Sequence, residues 1–225
     1  MNADYTDFSP SVSIHSSFQC VPLFSIILLL FFEISLDFLQ KSIIIQKKNT
    51  GEKLMNQNKR LYKMVLTALF TAMVTVATMI IQIPSPMQGY VNLGDCIILL
   101  AAWLLGPAAG LFAGGVGSML ADLLSGYAHY APGTLVIKGL MAVAAALLFT
   151  ALKAKKEDRK SSIIAKLVSG VAAEAIMVAG YFGYACLLLG KGLAAATSIP
   201  GNLFQGLVGI AAAMLLHPLL KKAGI

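Results

Sequence analysis

The residues of this chain that could do chemistry are few, and they interrupt long apolar runs. Asp95, Asp122 and Glu174 are acids in such runs, and Lys138 is the one lysine placed in the same way. An ionisable side chain inside a membrane-spanning segment is costly, so it is by default a candidate functional group. These residues therefore predict either a ligand-binding cavity or a proton pathway.

Amide and aromatic side chains accompany the charged positions. A small heteroaromatic molecule can stack on tyrosine while amides and carboxylates form hydrogen bonds with its edge. Together these groups predict a binding site for a small polar molecule. The predicted substrate-binding residues are Asn92, Asp95, Asp122, Tyr127, His129, Tyr130, Lys138, Glu174, Tyr181, Asn202 and Gln205.

Several of these positions also have an ordinary structural interpretation. Asp95 lies in the first turn of a predicted helix, where the helix dipole favours an acid. Tyrosines such as Tyr127 could form an interfacial belt. Lys138 could extend its ammonium to the interface, or it could be the counter-charge of Asp122 or Glu174. The sequence leaves these interpretations open.

Composition indicates the class of protein that must position these groups. Of the 225 residues, 58% are hydrophobic and 12% are charged, and the mean hydropathy is +0.80. Soluble domains carry about 25% charged residues. The chain is therefore predicted to be an all-α, polytopic membrane protein, and its net charge of +7 does not require a nucleic-acid partner because cytoplasmic loops collect basic residues.

Hydrophobic runs predict a bundle of six transmembrane helices. Prolines and short polar loops separate the runs. From Met55 onward, 11 of 13 basic residues fall on one side if both termini are cytoplasmic, which sets the predicted orientation. The candidate binding groups then converge in the outer third of the membrane. The predicted helices are residues 62–83, 93–105, 108–124, 134–152, 163–189 and 200–218.

Residues 1–54 differ from the membrane domain predicted for residues 55–225. They contain acids where a secretory signal would carry basic residues. Residues 50–54 can be encoded by a purine-rich ribosome-binding sequence, so Met55 is a candidate start and residues 1–54 a start-site artefact. The alternative is an extra helix over residues 21–39.

Motifs for several enzyme classes are absent from the sequence. It contains no Gly-x-x-x-x-Gly-Lys-Ser/Thr, no His-Glu-x-x-His and no Gly-x-Ser-x-Gly. Cys20, Cys96 and Cys186 are too widely spaced for a metal or redox motif. We therefore expect a protein that is not an enzyme and that holds no metal or cofactor.

Five short patterns carry a resemblance to a known family. They are Ala68-x-x-x-Ala72, Asn92-Leu93-Gly94-Asp95, Leu105-Gly106-Pro107 before a glycine-rich helix, Ala121-Asp122 and Lys138-Gly139. From Met55 to the C-terminus the chain resembles the substrate-binding S component of energy-coupling factor (ECF) vitamin transporters.

The resemblance implies a function and partners. It implies a bacterial plasma-membrane protein that captures a vitamin or vitamin precursor outside. Within the family, the polar and aromatic residues suggest hydroxymethylpyrimidine or a B6-type vitamer, while riboflavin, folate, pantothenate and other vitamins stay open. A transmembrane coupling subunit and two separate cytoplasmic ATPase subunits would drive transport. Ala68 and Ala72 would dock on the coupling subunit, although ordinary internal packing explains them equally, and residues 84–92 would form a lid.

Two other functions remain open at this point. Asp122, Lys138 and Glu174 could form a proton relay in a stand-alone, ion-coupled carrier. The small-residue ridges could instead serve only helix packing, in a membrane scaffold that transports nothing.

Overall fold

The computed structural model describes residues 52–85, 89–153 and 159–222. The chain divides into two compact units, Met1–Lys59 and Arg60–Ile225, and all candidate functional residues lie in the second. The predictions of a start at Met55 and of an extra helix concern residues that lie, apart from 52–54, outside the described ranges. They stay predictions.

The described chain is almost entirely helical, and five helices are long and apolar enough to cross a membrane. Helix α3 contains a π-helical turn at Phe112–Val116, and a second one at Tyr184–Leu188 follows α5. A 3₁₀ segment, Gly192–Ser198, leads into α6. The elements are α1 Glu52–Ile80, β1 Ile83–Ser85, β2 Gly89–Val91, α2 Gly94–Leu105, α3 Pro107–Leu124, α4 Ala131–Lys153, α5 Arg159–Gly183 and α6 Ile199–Lys222.

Helix α2 is the short member of the bundle. Its 12 residues extend only about 18 Å at 1.5 Å per residue, less than the ~30 Å hydrocarbon core of a bilayer. It is apolar on all sides, and every residue except Leu104 is buried. A helix with this pattern belongs in the interior, where α2 packs against α6, α3 and α4.

Glycines of α3 allow the helices around α2 to approach closely. A Cβ built on Gly114 would lie 3.0 Å from the backbone oxygen of Lys138, and one on Gly117 would lie 2.7 Å from that of Thr71. The Thr75 hydroxyl also donates a hydrogen bond to the Gly117 carbonyl at 2.9 Å. Gly114 and Gly117 therefore lie at close helix contacts.

Several predicted bounds were wrong, among them those of the first helix, which runs over Glu52–Ile80 and not over 62–83. Helix α6 does not close at Pro218 but continues to Lys222. A proline near a helix end removes only one backbone donor, and the basic residues of the last turn suit the helix dipole. The predicted loop 84–92 contains the antiparallel strands β1 and β2, with Pro84 paired to Tyr90. A two-stranded hairpin has only edge strands, and these tolerate proline.

Candidate substrate-binding site

A pocket lies where the hairpin, the start of α4, the start of α6 and the ends of α1, α3 and α5 meet. Its cavity volume is about 50 Å³. The whole empty space of the pocket, including the part that is open to solvent, is about 580 Å³. A buried water needs ~10–15 Å³ of such cavity volume, so the space corresponds to a few waters. The lining residues are Thr78, Tyr90, Asn92, Ser118, Asp122, Tyr130, Thr134, Lys138, Tyr181, Ala185, Ser198, Asn202 and Gln205.

A hydrogen-bonded network joins α2, α4 and α6 at one side of the pocket. Asp95, which is fully buried, accepts hydrogen bonds from the Lys138 ammonium and, at 2.6 Å, from the Gln205 amide. The Gln205 oxygen accepts from the backbone N–H of Asn92 at 2.8 Å. The Asn92 side-chain oxygen accepts from the Gly94 N–H at 2.9 Å. This network fixes Lys138, which forms its ion pair with Asp95 and not with Asp122 or Glu174, the two acids suggested from the sequence.

Asp122 faces the pocket from the end of α3. Its Oδ1 accepts a hydrogen bond of 2.6 Å from the Tyr90 hydroxyl, and its Oδ2 is buried without a hydrogen-bond partner. Burial, and next the negative charge of Asp122, raise the pKa of Tyr90 well above its ordinary value, so this hydroxyl stays a donor. The hairpin is thereby attached to α3 across the mouth of the pocket.

Three buried polar atoms in the lining have no hydrogen-bond partner in the described structure. They are Oγ1 of Thr78, Oγ of Ser118 and Oδ2 of Asp122. More than nine in ten buried polar groups in folded proteins are hydrogen-bonded, so each exception requires an explanation. A polar ligand that enters the pocket would supply the missing partners.

Tyrosines form the opposite wall. The rings of Tyr130 and Tyr181 have their centroids 6.4 Å apart, and the Tyr181 hydroxyl donates to the Thr134 hydroxyl at 3.1 Å. The Lys138 ammonium lies 5.5 Å from the centre of the Tyr181 ring, and that of Lys191 lies 5.2 Å from the centre of the Tyr130 ring. Lys191 also donates to the Tyr130 hydroxyl at 3.1 Å. These contacts fix the positions of both rings in the pocket lining.

Glu174 is buried, 6% exposed, behind the pocket and does not line it. Its side chain packs against α6, because a Cβ on Gly206 would lie 3.0 Å from it and one on Gly209 would lie 3.4 Å from its Oε1. Neither carboxylate oxygen has a hydrogen-bond partner in the described structure. Direct contact between Glu174 and a ligand in this pocket is therefore not supported.

The structure brings most of the predicted binding residues together. Four of them do not line the pocket. Asp95 and Glu174 lie behind it, His129 is exposed, and Tyr127 stacks on Tyr90 with centroids 4.7 Å apart. Those that line it are Asn92, Asp122, Tyr130, Lys138, Tyr181, Asn202 and Gln205.

Sequence reasoning missed several lining residues, of which Thr78, Tyr90, Ser118, Thr134 and Ser198 are polar. Two of them carried a usable signal, because Ser118 precedes Asp122 by four residues and Thr134 precedes Lys138 by four. Residues at that spacing share a helix face. Ser198 also lies four residues before Asn202, but in the 3₁₀ segment that precedes α6, whereas Thr78 and Tyr90 had no such neighbour.

Metal ligation is not supported within the described ranges. No group of three or more His, Cys, Asp or Glu side chains in those residues is arranged to hold a metal ion. The polar groups that the pocket offers are hydroxyls, amides, one carboxylate and one ammonium, which suit a small organic molecule.

A second concave surface, here called the α1–α3 groove, lies between residues 60–75 of α1 and residues 108–120 of α3. Ala68 and Ala72 are exposed and line it, together with Lys63, Thr71 and Phe112. The two helices touch at Thr75 and Gly117, beyond which the groove opens. Ordinary internal packing, the alternative interpretation of the alanines, does not describe exposed residues.

Comparisons with known proteins agree on one family. Residues 58–222 match the family described as ECF-type riboflavin transporter, S component. The thiamine precursor transporter HmpT of Lactococcus lactis is 30% identical over 175 residues, which cover 77% of this chain and 95% of HmpT. An uncharacterized protein of Pyrococcus woesei is 41% identical over 150 residues, or 66% of this chain and 95% of that protein.

A solved structure supports the same assignment. The S component of a bacterial ECF transporter superposes with a TM-score of 0.55 at 25% sequence identity. The match covers 74% of this chain and 97% of that one. It therefore extends over nearly the whole of the known protein.

Proposed function

The chain belongs to the family of ECF-type transporter S components, and we propose that it captures a one-ring vitamin precursor for an ATP-driven ECF importer. It is a multi-pass membrane protein, in keeping with its five long apolar helices. ATP hydrolysis is assigned in this proposal to two separate cytoplasmic subunits. The chain itself performs binding and not catalysis.

Three unpartnered polar atoms around the cavity are the observation that carries the proposal. Thr78, Ser118 and Asp122 each present one of these atoms. The two hydroxyls can donate or accept, whereas an ionised carboxylate only accepts. A ligand with an amino or N–H group facing Asp122 would satisfy the strictest of these requirements, and Tyr130 and Tyr181 would flank its ring.

Hydroxymethylpyrimidine meets these requirements, because it has one flat ring with an exocyclic amine, ring nitrogens and a hydroxyl. The small cavity supports a one-ring ligand over the three-ring riboflavin that the family description names. The similarity to a thiamine precursor transporter supports the same choice. A B6-type vitamer has one ring as well but lacks the exocyclic amine, which makes it the second candidate.

Orientation and partner contacts complete the proposal. Lys153, Lys166 and Lys221 belong to the end of the bundle opposite the pocket, so the positive-inside tendency supports an external pocket and cytoplasmic termini. The β1–β2 hairpin would act as the lid. Exposed Ala68 and Ala72 would let a helix of the coupling subunit approach closely in the α1–α3 groove.

The direct test is mass spectrometry of small molecules that remain bound to the gently purified full chain, expressed without partner subunits. We expect a stoichiometric hydroxymethylpyrimidine or a close relative. The capture function is wrong if the protein carries no small molecule and its Tm does not change when hydroxymethylpyrimidine, pyridoxine, thiamine or riboflavin is added.

A second experiment separates this function from the ion-coupled carrier. Proteoliposomes containing only this chain should bind the ligand but should not accumulate it under a proton gradient. Accumulation without any ATPase would favour the carrier and contradict the dependence on partner subunits.

A further inference from the structure

We propose that the end of the bundle opposite the pocket holds a binding site for the phosphate group of an anionic phospholipid. The site consists of Lys153 at the end of α4, Lys166 in the second turn of α5, and His217 and Lys221 in the last turns of α6. This set is here called the basic cluster. It shares no residue with the pocket or with the α1–α3 groove, and it adds a ligand that the transport function does not require.

The members of the basic cluster are close enough for their charges to act on one another. The Lys153 ammonium lies 5.8 Å from the centre of the Phe149 ring, whose centroid is 6.3 Å from that of His217. Lys221 follows His217 by four residues on α6, so the two share a helix face. Lys166 lies within range of the charges of Lys153 and Lys221. Three helices contribute to the cluster. In the described ranges, no acid pairs with it, since the ion pair there joins Lys138 and Asp95 at the other end of the bundle.

Ordinary explanations account for some members of the cluster but not for Lys166. Lys153 and Lys221 lie in the last turns of their helices, where a cation is favoured by the helix dipole. Lys166 lies in the second turn of α5, away from the helix end at which the dipole would favour a cation. It is only 8% exposed, and burying a cation among like charges costs free energy unless an anion accompanies it.

Neighbouring side chains hold this part of α5 in a defined position. The indole N–H of Trp103 donates to the Ser169 hydroxyl at 3.1 Å, and that hydroxyl donates to the Lys166 carbonyl at 3.1 Å. The Trp103 ring lies edge-on to that of His217, with centroids 6.1 Å apart. Phe149 closes the group, 6.3 Å from His217. The basic cluster therefore lies beside the packed rings of Trp103 and Phe149.

A phospholipid fits the environment of the basic cluster better than a free anion does. Apolar side chains next to the cluster point outwards, including Ile163 at 44% exposed, Ile164 at 59% and Leu219 at 62%. Acyl chains would cover them while the phosphate meets the ammonium groups. Basic pockets between transmembrane helices are an established type of site for anionic lipid headgroups.

The test measures thermal unfolding of the full chain in nanodiscs of phosphatidylcholine, with and without phosphatidylglycerol. Phosphatidylglycerol should raise the Tm of the unmodified protein by about 3 °C. Lys166→Gln and the exposed variant Lys221→Gln should lose most of that increment. Lys222→Gln, which removes an equal charge from the neighbouring position outside the cluster, should retain it.

Other outcomes would overturn the assignment. An equal increment in all variants, or none in the unmodified protein, would show that the basic cluster does not recognise the lipid. If inorganic phosphate in pure phosphatidylcholine nanodiscs gives the same Tm increment, the lipid is the wrong source of the phosphate group. Lys221→Gln keeps the test decisive if Lys166→Gln fails to fold.

Discussion

Replacing Asp122 with asparagine separates ligand recognition from folding at the centre of the pocket. Asparagine keeps an oxygen that can accept the hydrogen bond from Tyr90, which the carboxylate accepts at 2.6 Å. The amide NH₂ then takes the place of Oδ2, which has no hydrogen-bond partner in the described structure. The variant should therefore fold, with a Tm equal to or above that of the unmodified protein, because a buried charge is removed.

Ligand affinity should fall, since the variant lacks Oδ2, the carboxylate oxygen that is proposed to accept a hydrogen bond from the ligand. A hydrogen bond to a charged group contributes ~1.5–3 kcal/mol, which corresponds to roughly a 10- to 150-fold increase in Kd. The replacement also sets an NH₂ donor against the donor of the ligand. Isothermal titration calorimetry with hydroxymethylpyrimidine in nanodiscs would measure the change.

A ligand analogue without the exocyclic amine makes the test specific. In the unmodified protein the analogue should bind about tenfold or more weakly than hydroxymethylpyrimidine. In Asp122→Asn the two ligands should differ little, because the partner of the amine is already gone. Unchanged ligand affinity in a well-folded Asp122→Asn protein would refute this role of Asp122. So would an affinity difference between hydroxymethylpyrimidine and the analogue that is equally large in both proteins.

Three further variants test other parts of the structure. Lys138→Met should lower the free energy of unfolding by about 3–5 kcal/mol, because Asp95 keeps a buried charge without its partner. The double variant with Asp95→Asn should recover much of this stability, as measured by thermal unfolding. Ala68→Leu should leave ligand affinity unchanged but reduce uptake when the whole transporter is assembled, because a bulky side chain enters the α1–α3 groove. Gly94→Ala should cost about 1–3 kcal/mol and weaken binding, because the new Cβ would lie 2.2 Å from Oγ1 of Thr78.

Matched controls exist for the last two variants. Ala211→Leu places the same side chain at an exposed position of α6 outside the groove and should leave uptake unchanged. Gly183→Ala adds a Cβ where no atom lies within 4 Å and should leave stability unchanged. Reduced uptake in Ala211→Leu, or equal losses in both glycine variants, would contradict the proposed groove and the tight packing at Gly94.

The number and approximate bounds of the helices could be predicted from the sequence, because they depend on local properties. Long apolar runs form helices in lipid, since every backbone polar group must be paired there. The Leu105-Gly106-Pro107 turn was readable for a similar reason, since Gly106 has φ +90°, a conformation that side-chain-bearing residues rarely adopt. The hairpin was not predicted, because three-residue strands depend on pairing between segments.

Which polar groups meet was decided by tertiary structure alone. Asp95, Asp122 and Glu174 all interrupt apolar helices, yet only Asp122 lines the pocket, because the rotation and tilt of each helix depend on its packing partners. The same packing, and not spacing along the chain, pairs Lys138 with Asp95. The sequence by itself therefore determined a helical membrane protein with its polar residues near one end, whereas helix packing decided which atoms remain available to a ligand.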